Sequence, residues 1–133
     1  MQVIGDNRWM NKVILVVEDD NINFQYIDAL LKNTGFELIH AKTGEEAVSF
    51  CKTINKIDLV LMDIQLPFMS GYEATRIIKS IRKDLPIIAQ TAYVLNDDRI
   101  KSLEVGCSDY ISKPIEAEEL YAMISKCLDL NTK

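Results

Sequence analysis

An α/β fold with a parallel sheet covered on both faces is predicted by three features of this 133-residue sequence. Short apolar runs of strand length alternate five times with longer stretches whose apolar residues recur at helical spacing. The runs are apolar throughout rather than at every second residue, the mark of strands buried on both sides. Capping residues, glycines or prolines separate most of the segments.

The first run, Val13 to Val17 (VILVV), predicts a central strand. Phe24, Ile27, Leu30 and Leu31 then form one helical stripe, which Gly35 is expected to close as C-cap. Glu37 to Ala41 predicts a shorter, peripheral strand. Thr43 and Glu46 make a capping box for a helix with Ala47, Val48, Cys51 and Ile54 on one face. Ile57 to Met62 predicts the third strand, and Ser70 and Glu73 a second capping box. The helix that follows carries Ala74, Ile77, Ile78 and Ile81 at i, i+3, i+4, i+7 spacing. Pro86 opens a fourth strand ending at Thr91, and Asn96, Asp97 and Asp98 suit the positive end of a fourth helix. Gly106 ends that helix, Tyr110 to Ser112 predicts a fifth strand, and Leu120, Met123, Ile124 and Cys127 line the last helix. Residues 1–11 show no pattern and read as a linker or N-terminal extension, with Trp9 either packing on the domain surface or belonging to that linker. Right-handed crossovers reduce the topologies to a few.

Composition narrows the function. The length fits one domain, and 48% hydrophobic with 26% charged residues is globular usage. A formal charge of −5, with Lys and Arg scattered, argues against direct nucleic-acid binding. Cys51, Cys107 and Cys127 lie in apolar patterns without CxxC or Cys/His spacing, so they read as reduced core residues. The N-terminus lacks a secretory pattern, and no apolar run approaches the roughly 20 residues of a membrane span. A cytoplasmic location, with no membrane insertion by this segment, is the expectation.

In open parallel sheets the ligand crevice lies beyond the carboxyl ends of the strands. Here strand one ends in Glu18-Asp19-Asp20, strand three in Asp63, strand four in Thr91, and strand five runs to Lys113. Glu18, Asp19 and Asp63 at one rim repel one another, which calls for a cation. Oxygen-only ligands suit a hard ion, Mg²⁺ first among them, and Lys113 can offset further charge. Such a rim can accept a phosphoryl group, with an Asp carboxylate as nucleophile to phosphorus and the Thr91 hydroxyl in bonding reach. His40, the single histidine, has an ordinary packing or surface role in this scheme.

ILVVEDD, LVLMDIQLPFMSG, IIAQTA and DYISKPI, at these intervals, resemble the receiver domains of two-component response regulators. The resemblance spans Lys12 to about Leu130, making 12–130 the receiver domain and 131–133 a tail. It implies a flavodoxin-like, doubly wound five-stranded parallel sheet in the order 2-1-3-4-5. It also implies that Asp63 is the phosphoacceptor, supplied by a phosphohistidine of a sensor histidine kinase or histidine phosphotransfer protein in a phosphorelay. Asp19, Asp63 and the Gln65 backbone carbonyl would ligate Mg²⁺, with Glu18 acting through water. Lys113 would pair with the phosphoryl group, Thr91 would move to bond it, and Tyr110 would swing inward as a switch. The surface of helix four, strand five and helix five would change with them. Gln65 and Tyr93 hold positions that tune acyl-phosphate lifetime in the family.

Ser70, Asp20 and Ser108 depart from common family residues, none at a metal, phosphoacceptor or lysine position. EDDNIN and DYISKPI most resemble receivers of hybrid sensor kinases, which favours a fragment of such a kinase over a stand-alone receiver. Homodimerisation stays open. The domain itself is expected to be a phosphoacceptor rather than an enzyme. A Mg²⁺-dependent phosphohydrolase would want a second acid two residues after Asp63, where Gln65 stands. A flavodoxin-like cofactor binder would want a Gly/Ser/Thr phosphate loop in place of EDDNIN. A phosphorylation-independent docking module is the remaining alternative, and such relatives usually lack part of the site.

Overall fold

Residues 8–92 and 96–129 are described in the computed structural model, and in it each apolar run becomes a strand. The order is β1 (Val13–Val17), α1 (Asn21–Leu31), β2 (Glu37–Ala41), α2 (Gly44–Thr53), β3 (Leu59–Asp63), α3 (Gly71–Ile81), β4 (Ile87–Thr91), α4 (Asn96–Glu104), β5 (Asp109–Ser112) and α5 (Ala117–Asp129). All pairings are parallel, in the order β2-β1-β3-β4-β5, so the doubly wound, flavodoxin-like expectation holds.

β1, β3 and β4 are buried at every position, whereas the edge strand β2 is partly open. The pleat sends alternate side chains to opposite faces. Leu15, Val17, Val60, Met62, Ile87 and Ala89 pack with α2 and α3. Ile14, Val16, Leu59, Leu61, Ile88 and Ile111 pack with α1 and α5. Hydroxyls of Tyr26 and Tyr121 donate to the carbonyls of Ile115 and Leu30, tying α1 to the α5 side.

Both capping readings meet their partners. Thr43 Oγ1 accepts from Glu46 N (3.0 Å) and Ser70 Oγ from Glu73 N (3.2 Å). The reach of Glu46 differs from the ideal box, since its carboxylate accepts from Lys42 N at 2.7 Å. Asn96 begins α4, but its side chain and residues 93–95, Tyr93 among them, lie outside the described residues, as do residues 1–7 and 130–133.

Three expectations are corrected, and Trp9 follows from the third. β3 starts at Leu59 rather than Ile57 and includes Asp63, because pairing with β1 begins at Ile14↔Leu59. Ile81, at the end of the α3 stripe, is 45% exposed. Gly35 is not the α1 C-cap, since the helix ends at Leu31 with Lys32 as cap. Gly35 instead turns the chain at φ +96° beneath the N-terminal segment, where a Cβ would lie 2.7 Å from Met10 N.

The segment that Gly35 makes room for carries Trp9, which is a core residue rather than a surface or linker residue. Its indole is 5% exposed, with ring centroids 5.0 Å from Phe36 and 6.0 Å from Tyr121, and its backbone N–H donates to Thr34 O at 2.8 Å. Burying an aromatic of this size offsets much of the cost of ordering the segment that carries it. Trp9→Ala should therefore lower unfolding free energy by about 3 kcal/mol in urea titration. Met10→Ala, at a 53% exposed neighbour, should change it by less than about 0.5 kcal/mol.

Candidate functional site

The register sets which side chains meet. Val17 pairs with Met62 and Asp63 with Gln90, and the next backbone bonds, Glu18 N to Ala41 O (2.9 Å) and Lys113 N to Thr91 O (2.8 Å), carry the pleat one residue further. By alternation Glu18, Asp63, Gln90 and Lys113 share the α1/α5 face at the carboxyl rim, while Thr91 and Tyr110 share the other face. The loop after Asp63 must then fold back tightly into α3. Gly71 permits this, because a Cβ there would lie 2.2 Å from Asp63 O. Gly71 N donates to Ile64 O, and Ile64 N to Gln90 O, both at 3.0 Å.

Glu18 and Asp63 are buried, at 1% and 2% exposure, and Asp19 beside them is exposed. One carboxylate oxygen from each of the three lies within 4.8 Å of the others. Lys113 Nζ stands 3.4 Å from Asp63 Oδ2 and 3.6 Å from Glu18 Oε1. Backbone N–H groups add support, Gln65 N to Asp63 Oδ1 (3.0 Å) and Asp20 N to Glu18 Oε2 (3.1 Å). One cation among three carboxylates leaves the rim negative. Burial, and then the charge of Glu18, push the Asp63 carboxyl up from 3.8 to about 6, against the pull of the Gln65 N–H and Lys113. Clustered oxygen donors with excess negative charge fit a hard divalent cation such as Mg²⁺.

Thr91 is buried at the end of β4. Tyr110 is half-buried against the core on the α2/α3 side, outside the acid cluster. Gln65 is exposed at the rim. His40 has a packing role, as read, stacked on Phe24 with centroids 3.7 Å apart, and its Nε2 lies 2.8 Å from the Glu18 carbonyl oxygen. A cleft of about 640 Å³ opens at the opposite edge of the sheet. It borders Arg82, whose guanidinium holds the carbonyls of Ile54, Asn55 and Ile57, and none of the three rim acids lines it.

Two residues at the rim escaped sequence reasoning. Asn23 Nδ2 donates to Glu18 Oε1 at 2.5 Å and lies 3.4 Å from Gln90 Oε1. The signals were present: a polar residue one turn into α1, and a glutamine inside the otherwise apolar run of β4.

Residues 14–125 match the response regulator receiver domain model. The chain is 39% identical over 130 residues to hybrid signal transduction histidine kinase I of Dictyostelium discoideum, covering 92% of this chain but only 8% of that kinase. It is 36% identical to the polar-differentiation response regulator DivK of Brucella ovis, covering 90% of this chain and 98% of DivK. The crystal structure of a sensor histidine kinase receiver domain from Pseudomonas aeruginosa, with magnesium coordinated in its active-site cleft, superposes with a TM-score of 0.82. That pair is 35% identical over 90% of this chain and 98% of the other. By sequence and by fold, this chain belongs to the receiver domain family of two-component signalling.

Proposed function

We propose that this domain is the Mg²⁺-dependent phosphoacceptor of a phosphorelay, with Asp63 taking a phosphoryl group from a phosphohistidine of a sensor kinase or histidine phosphotransfer protein. The observation that carries the reading is a buried carboxylate with Lys113 Nζ at 3.4 Å and two more acids within 4.8 Å. An Asp63 oxygen attacks phosphorus, the phosphorus–nitrogen bond breaks, and the imidazole leaves with the bonding pair, giving an acyl phosphate. Asp19, Asp63 and the Gln65 carbonyl would hold Mg²⁺, with Glu18 acting through water, and the bound ion supplies positive charge beside the transferring oxygens. Lys113 supplies the protein's own cation to the same oxygens, and the Thr91 hydroxyl donates to the product phosphoryl group.

Ile22 and Phe68, 79% and 93% exposed, follow β1 and β3 on the segments that border the rim. Phe68 stands at φ +69°, a conformation a bulky residue rarely adopts. Exposed apolar groups beside a buried nucleophile support a macromolecular phosphodonor. The readout is the surface of α4, β5 and α5, with Tyr110 as its switch. In the present state the first turn of α4 is tied to α3 by Tyr72 Oη donating to Asp98 Oδ1 (2.9 Å), with Lys101 over the Tyr72 ring. The match to a short segment of a hybrid kinase supports a place within such a protein, on its cytoplasmic side. Among the described residues no helix is long and apolar enough to cross a membrane.

Acetyl phosphate with Mg²⁺ should add one phosphoryl group, labile to hydroxylamine, by intact-mass measurement. Asp63→Asn should abolish it, and unchanged labelling of that variant would sink the assignment. Lys113→Ala should keep its fold by circular dichroism yet lose most of the conformational response to phosphorylation; an unfolded variant would show a structural role instead. The raised Asp63 carboxyl has a consequence for stability. Between about pH 4 and 6 the folded chain binds a proton that the unfolded chain releases, so the stability contributed by neutral Asp63 is lost as pH rises through about 6. In EDTA at pH 7.5, Asp63→Asn should melt roughly 5 °C above the parent. The gap should shrink at pH 4.5 and on adding Mg²⁺ to the parent, as read by thermal unfolding.

A further inference from the structure

The bonds that fix Glu18 are unequal in what they are anchored to. Lys113 belongs to the site and, in the proposed reaction, turns to the phosphoryl group. The Asp20 N–H sits in the same short turn as Glu18 and moves with it. Among the described residues, Asn23 alone links the carboxylate by side-chain bonds from helix α1 to the middle of the sheet, through Gln90.

The amide orientations follow from chemistry. An ionised carboxylate only accepts, so the Asn23 nitrogen must face Glu18 Oε1, as it does at 2.5 Å. Gln90 must then turn its oxygen to the second Asn23 proton, at 3.4 Å, since the reverse would oppose two donors. This leaves Gln90 Nε2 without a partner among the described residues, in a side chain that is 0% exposed. A fold does not bury an unpaired donor without a compensating use of the group. The use is the oxygen, which braces Asn23. Pleat alternation puts Gln90 directly beside Asp63 on the same face, so the brace lies under the nucleophile's neighbour.

We infer that Asn23, braced by Gln90, is a positioning residue for Glu18: it holds the carboxylate at the metal rim while Lys113 is drawn to the phosphoryl group. The inference rests on the reading of the rim as a Mg²⁺-dependent phosphoacceptor. A neutral donor suits the task, because it fixes an acid without cancelling its charge toward the cation. Removing a group that orients a metal-serving side chain typically weakens affinity by about 10- to 100-fold.

The test is calorimetric titration of the full chain with Mg²⁺ alone, no phosphodonor present, with melting temperature measured beside it. Asn23→Ala should weaken Mg²⁺ binding roughly 10-fold. Gln90→Met should weaken it less while melting at or above the parent temperature, because it removes the unpaired donor. With acetyl phosphate, both should raise the Mg²⁺ concentration for half-maximal labelling more than they lower the maximal rate. Parent-like Mg²⁺ affinity in either folded variant overturns that residue's role, and so does an affinity loss in Gln90→Met that merely follows lost stability. Should Asn23→Ala fail to fold, Gln90→Met decides. A parent that binds no Mg²⁺ refutes the phosphoacceptor reading and this inference together, whereas a parent that binds with unchanged variants refutes this inference alone.

Discussion

Three carboxylates crowded within 4.8 Å of one another are the constraint that the rest of the rim answers. At an effective dielectric near 20, each such pair repels by about 3 kcal/mol. The strands that deliver them cannot relax the strain, since β1 and β3 are buried at every position and locked in one register. The rim compensates locally instead. Lys113 sits between Glu18 and Asp63, backbone N–H groups of Asp20 and Gln65 point at them, and Asn23 holds Glu18 from above. What is left over is negative charge and open oxygen ligands, the condition for binding a divalent cation.

The loop after Asp63 shows how the same crowding shapes backbone. The chain must leave the strand, clear the nucleophile and re-enter as α3 within eight residues, from Asp63 to Gly71. Gly71 allows the closest approach, and Ser70 closes the helix start with its own hydroxyl. In between, Phe68 is held out to solvent at positive φ. The loop is thus both a tight cover for Asp63 and an apolar border beside it.

Much of this was legible because it depends on period and order. Uniform apolar runs predict the parallel sheet, and the strand ends put Glu18, Asp19, Asp63, Thr91 and Lys113 on one edge from order alone. What stayed hidden depends on contacts between distant segments. Trp9 looks like linker until Phe36 and Tyr121 are beside it, and Gly35 looks like a helix stop until Met10 occupies the space its side chain would need. Asn23 and Gln90 are 67 positions apart, and only the sheet's register shows that one amide answers the other. Tyr110 reads as a residue of the fifth strand from its sequence, but its face follows from the pairing Ala89↔Tyr110, which strand composition alone does not supply.

That last assignment suggests why a sheet two faces deep suits a switch. Glu18, Asp63, Gln90 and Lys113 project to the α1/α5 face, and Thr91 and Tyr110 to the other, yet Gln90 and Thr91 are adjacent residues of one strand. In the proposed reaction the phosphoryl group forms on Asp63 and is met by Lys113 from one side. A hydroxyl that bonds the same group must then come from the strand end beside it, and Thr91 is that residue. In that proposal, movement of Thr91 would alter the space along β4 and β5 on the face where Tyr110 packs. The proposed chemistry and readout would then be separated by a single thickness of backbone, and a small shift at a strand end would couple them. Such a coupling needs no long path through the core, and the central strands, buried at every position, would stay fixed while the proposed α4–β5–α5 surface changes.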